Sequence, residues 1–387
     1  MKNLKIAYLS SEDPTDVHVW SGIHYSIFNA LKKQFGDVES LGPYRNKNVD
    51  FFIKIKKVLI MLFSKKRYNA YHSKMLAMTY GRHFSKMLSA KKYDLVVAVS
   101  ASAELAYLET TLPIVFVSDA LFSGALNYYK TLSNLSNYSI EEGFETERLA
   151  LQKANLLYLP SRWAISNAIN DFKIELNKIE IGYFGANLIN IPAKEFVLHH
   201  KTTKDNSFIN LIFVGVNWEH KGAPKAYACL LELLKMGCKA KLTIVGCTVP
   251  DNVSNPYLKN IPFIKKTSIE GRKEFENLYL DADFLILPTQ FEAFGIVFCE
   301  ASAYGVINIA GETGGTSSSI LPGKNGYLLD AKSEGKDYAK KILSIYNDKK
   351  QMNELRENSR KRYDDELNWD KWAQNLNRVL IEKQIVL

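Results

Sequence analysis

Two glutamates, Glu292 and Glu300, stand eight positions apart in the stretch FEAFGIVFCEA, residues 291–301, with an apolar run between them. The preceding DFLILPT reads as a buried strand ending near Pro288, and the small and apolar residues from Gly295 to Tyr304 read as a helix containing Glu300. Glu292 and the amides of Ala293, Phe294, Gly295 and Ile296 then lie at a helix N-terminus, where N–H groups and the helix dipole favour an anion or a sugar hydroxyl oxygen. The amides supply donors and Glu292 supplies an acceptor. Glu300 falls one to two turns into a nearly all-apolar helix, so its ionised carboxylate needs a partner or a ligand. A ribose diol, with two donating hydroxyls, would satisfy it. The ordinary alternative is a salt bridge for Glu300 and solvent for Glu292.

The longer string DFLILPTQFEAFGIVFCEASAYG resembles the paired-glutamate signature of the retaining glycosyltransferases of family 4. Their GT-B fold is α/β, two facing Rossmann-like doubly wound domains with a cleft between them. The resemblance implies that Glu292 and the amides after it contact a donor sugar while Glu300 holds the ribose of a nucleotide. It also implies a phosphate-binding cation after the first strand of the second domain. NLIFVGVNWEHKGAPKA supplies one: a strand, Gly215, a loop, then Lys221 and Gly222 ahead of a helix. An ordinary surface lysine in a turn is the alternative. The chain departs from the family at Val216 and His220, where many members have arginine, and His220 becomes the candidate for a second phosphate contact. The segment IAGETGGTSSSILPGKNGYLLD matches the family's Gly-Gly loop, so Gly314, Gly315 and Thr316 are expected to offer a nest of amides to the donor.

The first domain matches less closely. Gly22 stands at a helix start, where the family has a glycine near donor phosphates and acceptor. Ser118 and Asp119 fall where many relatives have His-Asp; Asp119 is the candidate for hydrogen-bonding the donor sugar or acceptor, and Ser118 cannot carry a proton as imidazole does. An aspartate that only caps the turn after its strand is the alternative. Glu292, Asp119 and Lys221 are the residues assigned to catalysis. The nucleobase is expected near Phe263 to Lys266, at Ile264, largely through backbone. The resemblance covers nearly all of the second domain and the ends of the first, but not residues 37–92.

These residues need elements to position them, and two successive series of strand and helix are legible. The first runs through LKIAYLS, DLVVAVS, PIVFVSD, LLYLPS and KIEIGYF, with a helix from Ile23 to Leu31 and another opened by Ser139 and Glu142 in capping-box spacing. The second runs through NLIFVG, KLTIVG, DFLILPT, VINIA and GYLLD. Two doubly wound, mostly parallel sheets follow, and such sheets bind ligands outside the carboxyl ends of their strands. The expected domains are residues 1–187, joined by a C-terminal helix at about 369–387, and 188–368.

A chain of 387 residues exceeds what one core serves, which agrees with two domains. The four cysteines, Cys229, Cys238, Cys247 and Cys299, have no C-x-x-C spacing and are expected to be buried free thiols. The apolar run near the N-terminus is too short for a signal peptide, and no run reaches the ~18 residues of a membrane span. Net charge is +9, yet residues 51–93 carry eleven Lys/Arg and no Asp or Glu, which leaves −2 for the remainder. Such clustering points to a localised anionic partner. Ile55, Leu59, Leu62 and Phe63 share a helical face flanked by Lys54, Lys56, Lys57 and then Lys65, Lys66 and Arg67, as in a helix lying in an anionic bilayer interface. A core-packed helix with a solvated charged face is the alternative.

The expectation is a retaining, hexosyltransferase-type enzyme moving sugar from a nucleoside diphosphate donor to a glycan or lipid-linked acceptor, as in surface polysaccharide assembly. No Asp-x-Asp metal motif is present, so neither a metal nor another cofactor is expected. A cytoplasmic protein, peripheral on the inner membrane face through residues 51–67, would fit. An epimerase-like GT-B enzyme is disfavoured by the paired glutamates, and a basic nucleic-acid module by the absence of any recognised binding motif.

Overall fold

A computed structural model describes residues 4–204 and 207–386. The chain divides into two compact units, the first ending at Gly182 and rejoined by the residues from Trp369, the second spanning Tyr183–Asn368.

In the first unit, strands β1 (Ile6–Leu9), β2 (Val38–Ser40), β3 (Leu95–Val99), β4 (Ile114–Val117), β5 (Leu156–Leu159) and β6 (Ile179–Ile181) form a parallel sheet ordered β2-β1-β3-β4-β5-β6. IAYL, LVVAV, IVFV and LLYL are buried at every residue, as strands covered by helices on both faces must be. The helix Trp369–Glu382 packs here too: Trp372 is buried against the Tyr158 ring, and the Tyr158 hydroxyl donates to its carbonyl at 3.1 Å.

The second unit repeats the plan with β7 (Ile209–Val214), β8 (Ala240–Val245), β9 (Leu258–Ile261), β10 (Phe284–Leu287), β11 (Ile307–Gly311) and β12 (Gly326–Leu329), ordered β12-β11-β10-β7-β8-β9 and parallel throughout. These are the two parallel, Rossmann-like sheets expected from the doubled strand and helix series. Residues 183–187, expected in the first unit, go with the second: Tyr183 and Phe184 set their rings against Phe294, and the Ala186 amide donates to the Leu367 carbonyl at 3.2 Å. A buried ionic knot ties this sheet to its helices. Asp283, fully buried, meets Lys204 at 2.8 Å and Arg356 at 2.7 Å and accepts from the Asn210 amide. Nearby, Lys201 donates to the carbonyls of Tyr279, Leu280 and Ala282 at the end of the helix Ile269–Asp281.

One expected cap is corrected. The helix Asn137–Lys153 is capped by Ser136, whose side chain accepts from the Ser139 amide; the Ser139 hydroxyl instead accepts from the Asn69 amide. The basic segment forms the helix Lys47–Ser64, capped by Asn46, with Ile53 its one buried residue. Leu62 is 71% and Phe63 86% exposed, and Phe51, Phe52, Ile55, Val58, Leu59 and Met61 are exposed as well. Ile53 joins the core of the first unit and Val49 and Ile60 pack against it, so one side of the helix is core-packed while the Ile55, Leu59, Leu62 and Phe63 face is not. Among the described residues no helix is long and apolar enough to cross a membrane.

Candidate functional site

In the second sheet the strand order reverses between β7 and β10, so the connections leaving these neighbours diverge and open a crevice at their carboxyl ends. The Lys221 loop leaves β7, the Glu292 loop leaves β10, and the Gly-Gly loop leaves β11, the next strand along. Three segments distant in sequence thus converge at one edge of the sheet.

Gly222 decides how closely the first two loops approach. It holds φ at +79° as the N-cap of the helix Ala223–Lys235, and a Cβ there would lie 2.0 Å from the Pro288 carbonyl oxygen. The loops are stitched by backbone: the His220 carbonyl accepts from the Gln290 amide at 3.2 Å. The result is an ion pair that the sequence reading did not anticipate, Lys221 Nζ to Glu292 Oε2 at 2.6 Å, with side chains 26% and 14% exposed. The lysine keeps two further N–H donors. His220 is half-buried, its ring 5.9 Å from that of Phe291.

Glu300 lies in the helix Ile296–Ala303, whose N-cap Gly295 has φ +88°. A Cβ on Gly295 would meet the Phe298 ring at 2.3 Å. Ala293 and Phe294 are buried, and the Phe294 carbonyl accepts from Ser319 Oγ at 2.7 Å. Both Glu300 oxygens have protein partners: Lys266 Nζ at 3.3 Å from Oε1, and the Tyr279 hydroxyl donating to Oε2 at 3.1 Å. Burial and then the carboxylate push the Tyr279 phenol well above its usual range, which keeps it a proton donor. The salt bridge offered as Glu300's ordinary alternative is therefore present. Lys266 also stands 3.7 Å from the Phe275 ring centroid. Ile264, expected beside a nucleobase, turns its side chain into the core, whereas Phe263 is exposed; only the Ile264 backbone is left for a ligand.

The Gly-Gly loop is corrected in detail. Gly315 spends its amide on the Glu292 carbonyl at 3.0 Å, and Thr316 spends its amide on the Thr313 carbonyl at 3.1 Å. Two of the three expected nest donors therefore build the loop. Gly315 thereby fixes the backbone of Glu292, whose side chain Lys221 holds. Gly215 likewise donates to the Val245 carbonyl, extending the β7–β8 ladder.

Gly22 and Asp119 belong to the first unit. Gly22 has φ +83° and caps the helix Ile23–Phe35, following Trp20 and Ser21 at φ 48° and 55°. In that helix His24 Nδ1 lies 2.6 Å from the Tyr8 hydroxyl, and burial lowers the His24 pKa to about 4. Ser118 donates to the Ala120 carbonyl at 2.7 Å, so its hydroxyl shapes the turn after β4. Asp119 is half-buried and lines a cavity of about 280 Å³. All four cysteines are free; Cys229, Cys247 and Cys299 are buried as expected, and Cys238 is half-buried.

Sequence reasoning missed Lys266 and Tyr279 as partners of Glu300. Their separations from it, 34 and 21 positions, have no helical or strand periodicity to betray the contact.

Residues 196–362 match the family model described as glycosyl transferases group 1. The chain is 26% identical over 227 residues to the capsular polysaccharide biosynthesis glycosyltransferase CapM of Staphylococcus aureus, covering 54% of this chain and 57% of that one. It spans about half the length of the curated relatives it matches. Among solved structures, the sucrose-phosphate synthase of Thermosynechococcus elongatus superposes with a TM-score of 0.66 over 98% of both chains at 16% identity. Anabaena HepE, solved with UDP and glucose, gives 0.61 over 98% and 99% at 15% identity. Such identities speak for the fold alone.

Proposed function

We propose that the protein, whose residues 196–362 match the model of the glycosyl transferases group 1, moves a sugar from a nucleoside diphosphate donor to an acceptor hydroxyl, with retention at the anomeric carbon. The observation that carries this reading is the pair of lysine-carboxylate couples at the switch point, Lys221 with Glu292 and Lys266 with Glu300. Lys221 takes diphosphate oxygens with its remaining donors while Glu292 accepts from a sugar hydroxyl. Glu300 accepts from the ribose hydroxyls once Lys266, 44% exposed, swings aside. His220 adds its ring at the phosphates.

In the chemical step the bond from the anomeric carbon to the diphosphate oxygen breaks, and the acceptor oxygen bonds to the same face. Its proton passes to the departing phosphate. Lys221 meets the charge that develops on the leaving group, so the reaction runs without a divalent metal. Asp119, in the first unit, serves the acceptor.

The acceptor is a glycan or lipid-linked glycan of surface polysaccharide assembly. CapM's role in capsular polysaccharide supports this, and so does the exposed basic and apolar helix Lys47–Ser64, which we assign to an anionic bilayer surface on the cytoplasmic side. Arg67 donates to the Lys130 carbonyl and Lys56 pairs with Glu142, so the cations for the lipid are Lys54, Lys57, Lys65 and Lys66. Cosedimentation with anionic vesicles should be lost when Lys54, Lys57 and Lys66 become Glu; unchanged binding would remove the membrane assignment.

Thermal stabilisation by UDP, GDP or ADP, followed by diphosphate release from a panel of sugar nucleotides, tests the transferase itself. Glu300→Gln should weaken the responding nucleotide about tenfold. Stabilisation by oligonucleotides alone, or full nucleotide affinity in Glu300→Gln, would refute this reading.

A further inference from the structure

The first unit contains a cavity of about 280 Å³, near the lower end of the roughly 300–1,000 Å³ of small-molecule sites, room for one sugar ring rather than a nucleotide. Its polar wall is made from the carboxyl ends of β3 and β4, at Ser100 and Asp119, and from two residues that sequence reasoning did not single out, His72 and Glu147. His72 precedes the helix Lys74–Ala90, in the segment that the family resemblance leaves uncovered, and Glu147 projects from the helix Asn137–Lys153.

The His72 and Glu147 side chains are 10% and 3% exposed, and His72 Nε2 stands 3.3 Å from Glu147 Oε2. The other ring nitrogen, Nδ1, lies 3.2 Å from Asn69 Oδ1, and the Thr146 hydroxyl donates to the His72 carbonyl at 2.8 Å. The imidazole is thus fixed from two sides. Glu147 Oε1 is buried and has no hydrogen-bond partner. An orphaned carboxylate oxygen in a cavity wall calls for a donor. The terminal torsion of glutamate is soft, so Oε1 can turn to a hydroxyl placed in the cavity.

The character of the wall selects the ligand. No Lys or Arg lines the cavity and two carboxylates do, which disfavours phosphate. Among the described residues no three metal-ligating side chains converge, which disfavours a cation. What remains is an uncharged molecule rich in hydroxyl donors. We propose that this cavity binds one neutral sugar ring of the acceptor, with Glu147, held by His72, as the residue that reads its hydroxyls. The proposal rests on the transferase reading and gives that reading a substrate: an acceptor whose recognised ring carries no charge.

The experiment is saturation-transfer NMR on the full chain with methyl glycosides of glucose, galactose, mannose and N-acetylglucosamine. At least one should receive saturation. Glu147→Gln should weaken it about tenfold. Thr131→Trp, at the exposed rim of the cavity, should abolish it without disturbing the buried dyad. Nucleotide-induced thermal shifts should be the same in all three proteins. No saturation in the wild type, or transfer that survives Thr131→Trp, overturns the sugar pocket while a normal nucleotide shift leaves the transferase standing. Absence of any nucleotide shift, with saturation intact, overturns the transferase and leaves a sugar-binding pocket.

Discussion

At the scale of single residues, Lys221 and Glu292 hold each other in position at 2.6 Å, and removing the lysine should be felt in the chemical step. Lys221→Met should lower kcat for diphosphate release by about 10²–10³, as expected when a group aimed at developing charge is lost. A loss below tenfold would mean that the lysine only pairs with Glu292. His24 makes a separate prediction about pH. Burial lowers its pKa from 6.5 to about 4, so the unfolded chain takes up the proton first as pH falls. Its contribution is complete above about 6.5 and is lost between there and about 4, roughly 3 kcal/mol in all. Urea midpoints should therefore fall more steeply with acidification in the wild type than in His24→Gln, which keeps an acceptor for Tyr8; parallel curves would show that His24 contributes nothing. The two glutamates were legible because a strand pattern, a loop and an apolar run place them, whereas Lys266, Tyr279 and Glu147 were not. Their partners are set by tertiary contacts, which leave no mark on local spacing.

At the scale of elements, continuous apolar runs such as FLIL and LVVAV identify themselves as strands buried on both faces. The three-residue β2, at the sheet edge and reading VES, carries no such pattern and is not legible in the sequence. Ser139 has the residue type of a cap, but Ser136, one turn earlier, wins the helix start because Ser139 is committed to Asn69. Two substitutions probe how the elements hold the site. Gly222→Ala should destabilise the second unit by more than about 1 kcal/mol, since it adds a clash to a left-handed backbone. Asp283→Asn, which leaves Lys204 and Arg356 buried without their counter-charge, should cost about 3–5 kcal/mol in urea unfolding. A cost below about 1 kcal/mol would show that water or another group neutralises them.

At the scale of the whole molecule, the doubled βα pattern was enough to read two Rossmann-like sheets, because each sheet is built from local units in chain order. The boundary falls after Gly182, five residues before the expected 187, since Tyr183 and Phe184 are committed to Phe294 by packing that no composition change announces. Charge is distributed unequally. Each lysine of the second-unit site is already matched by its own carboxylate, whereas the eleven cations of residues 51–93 meet no acid within their own segment. The two regions should therefore answer salt differently. Adsorption to an anionic surface should decline steeply as ionic strength rises, while nucleotide affinity, gained by exchanging partners around charges already compensated, should change only shallowly. Moderate salt would then release the protein from a surface without emptying it of donor, so the two attachments are separable by a single titration.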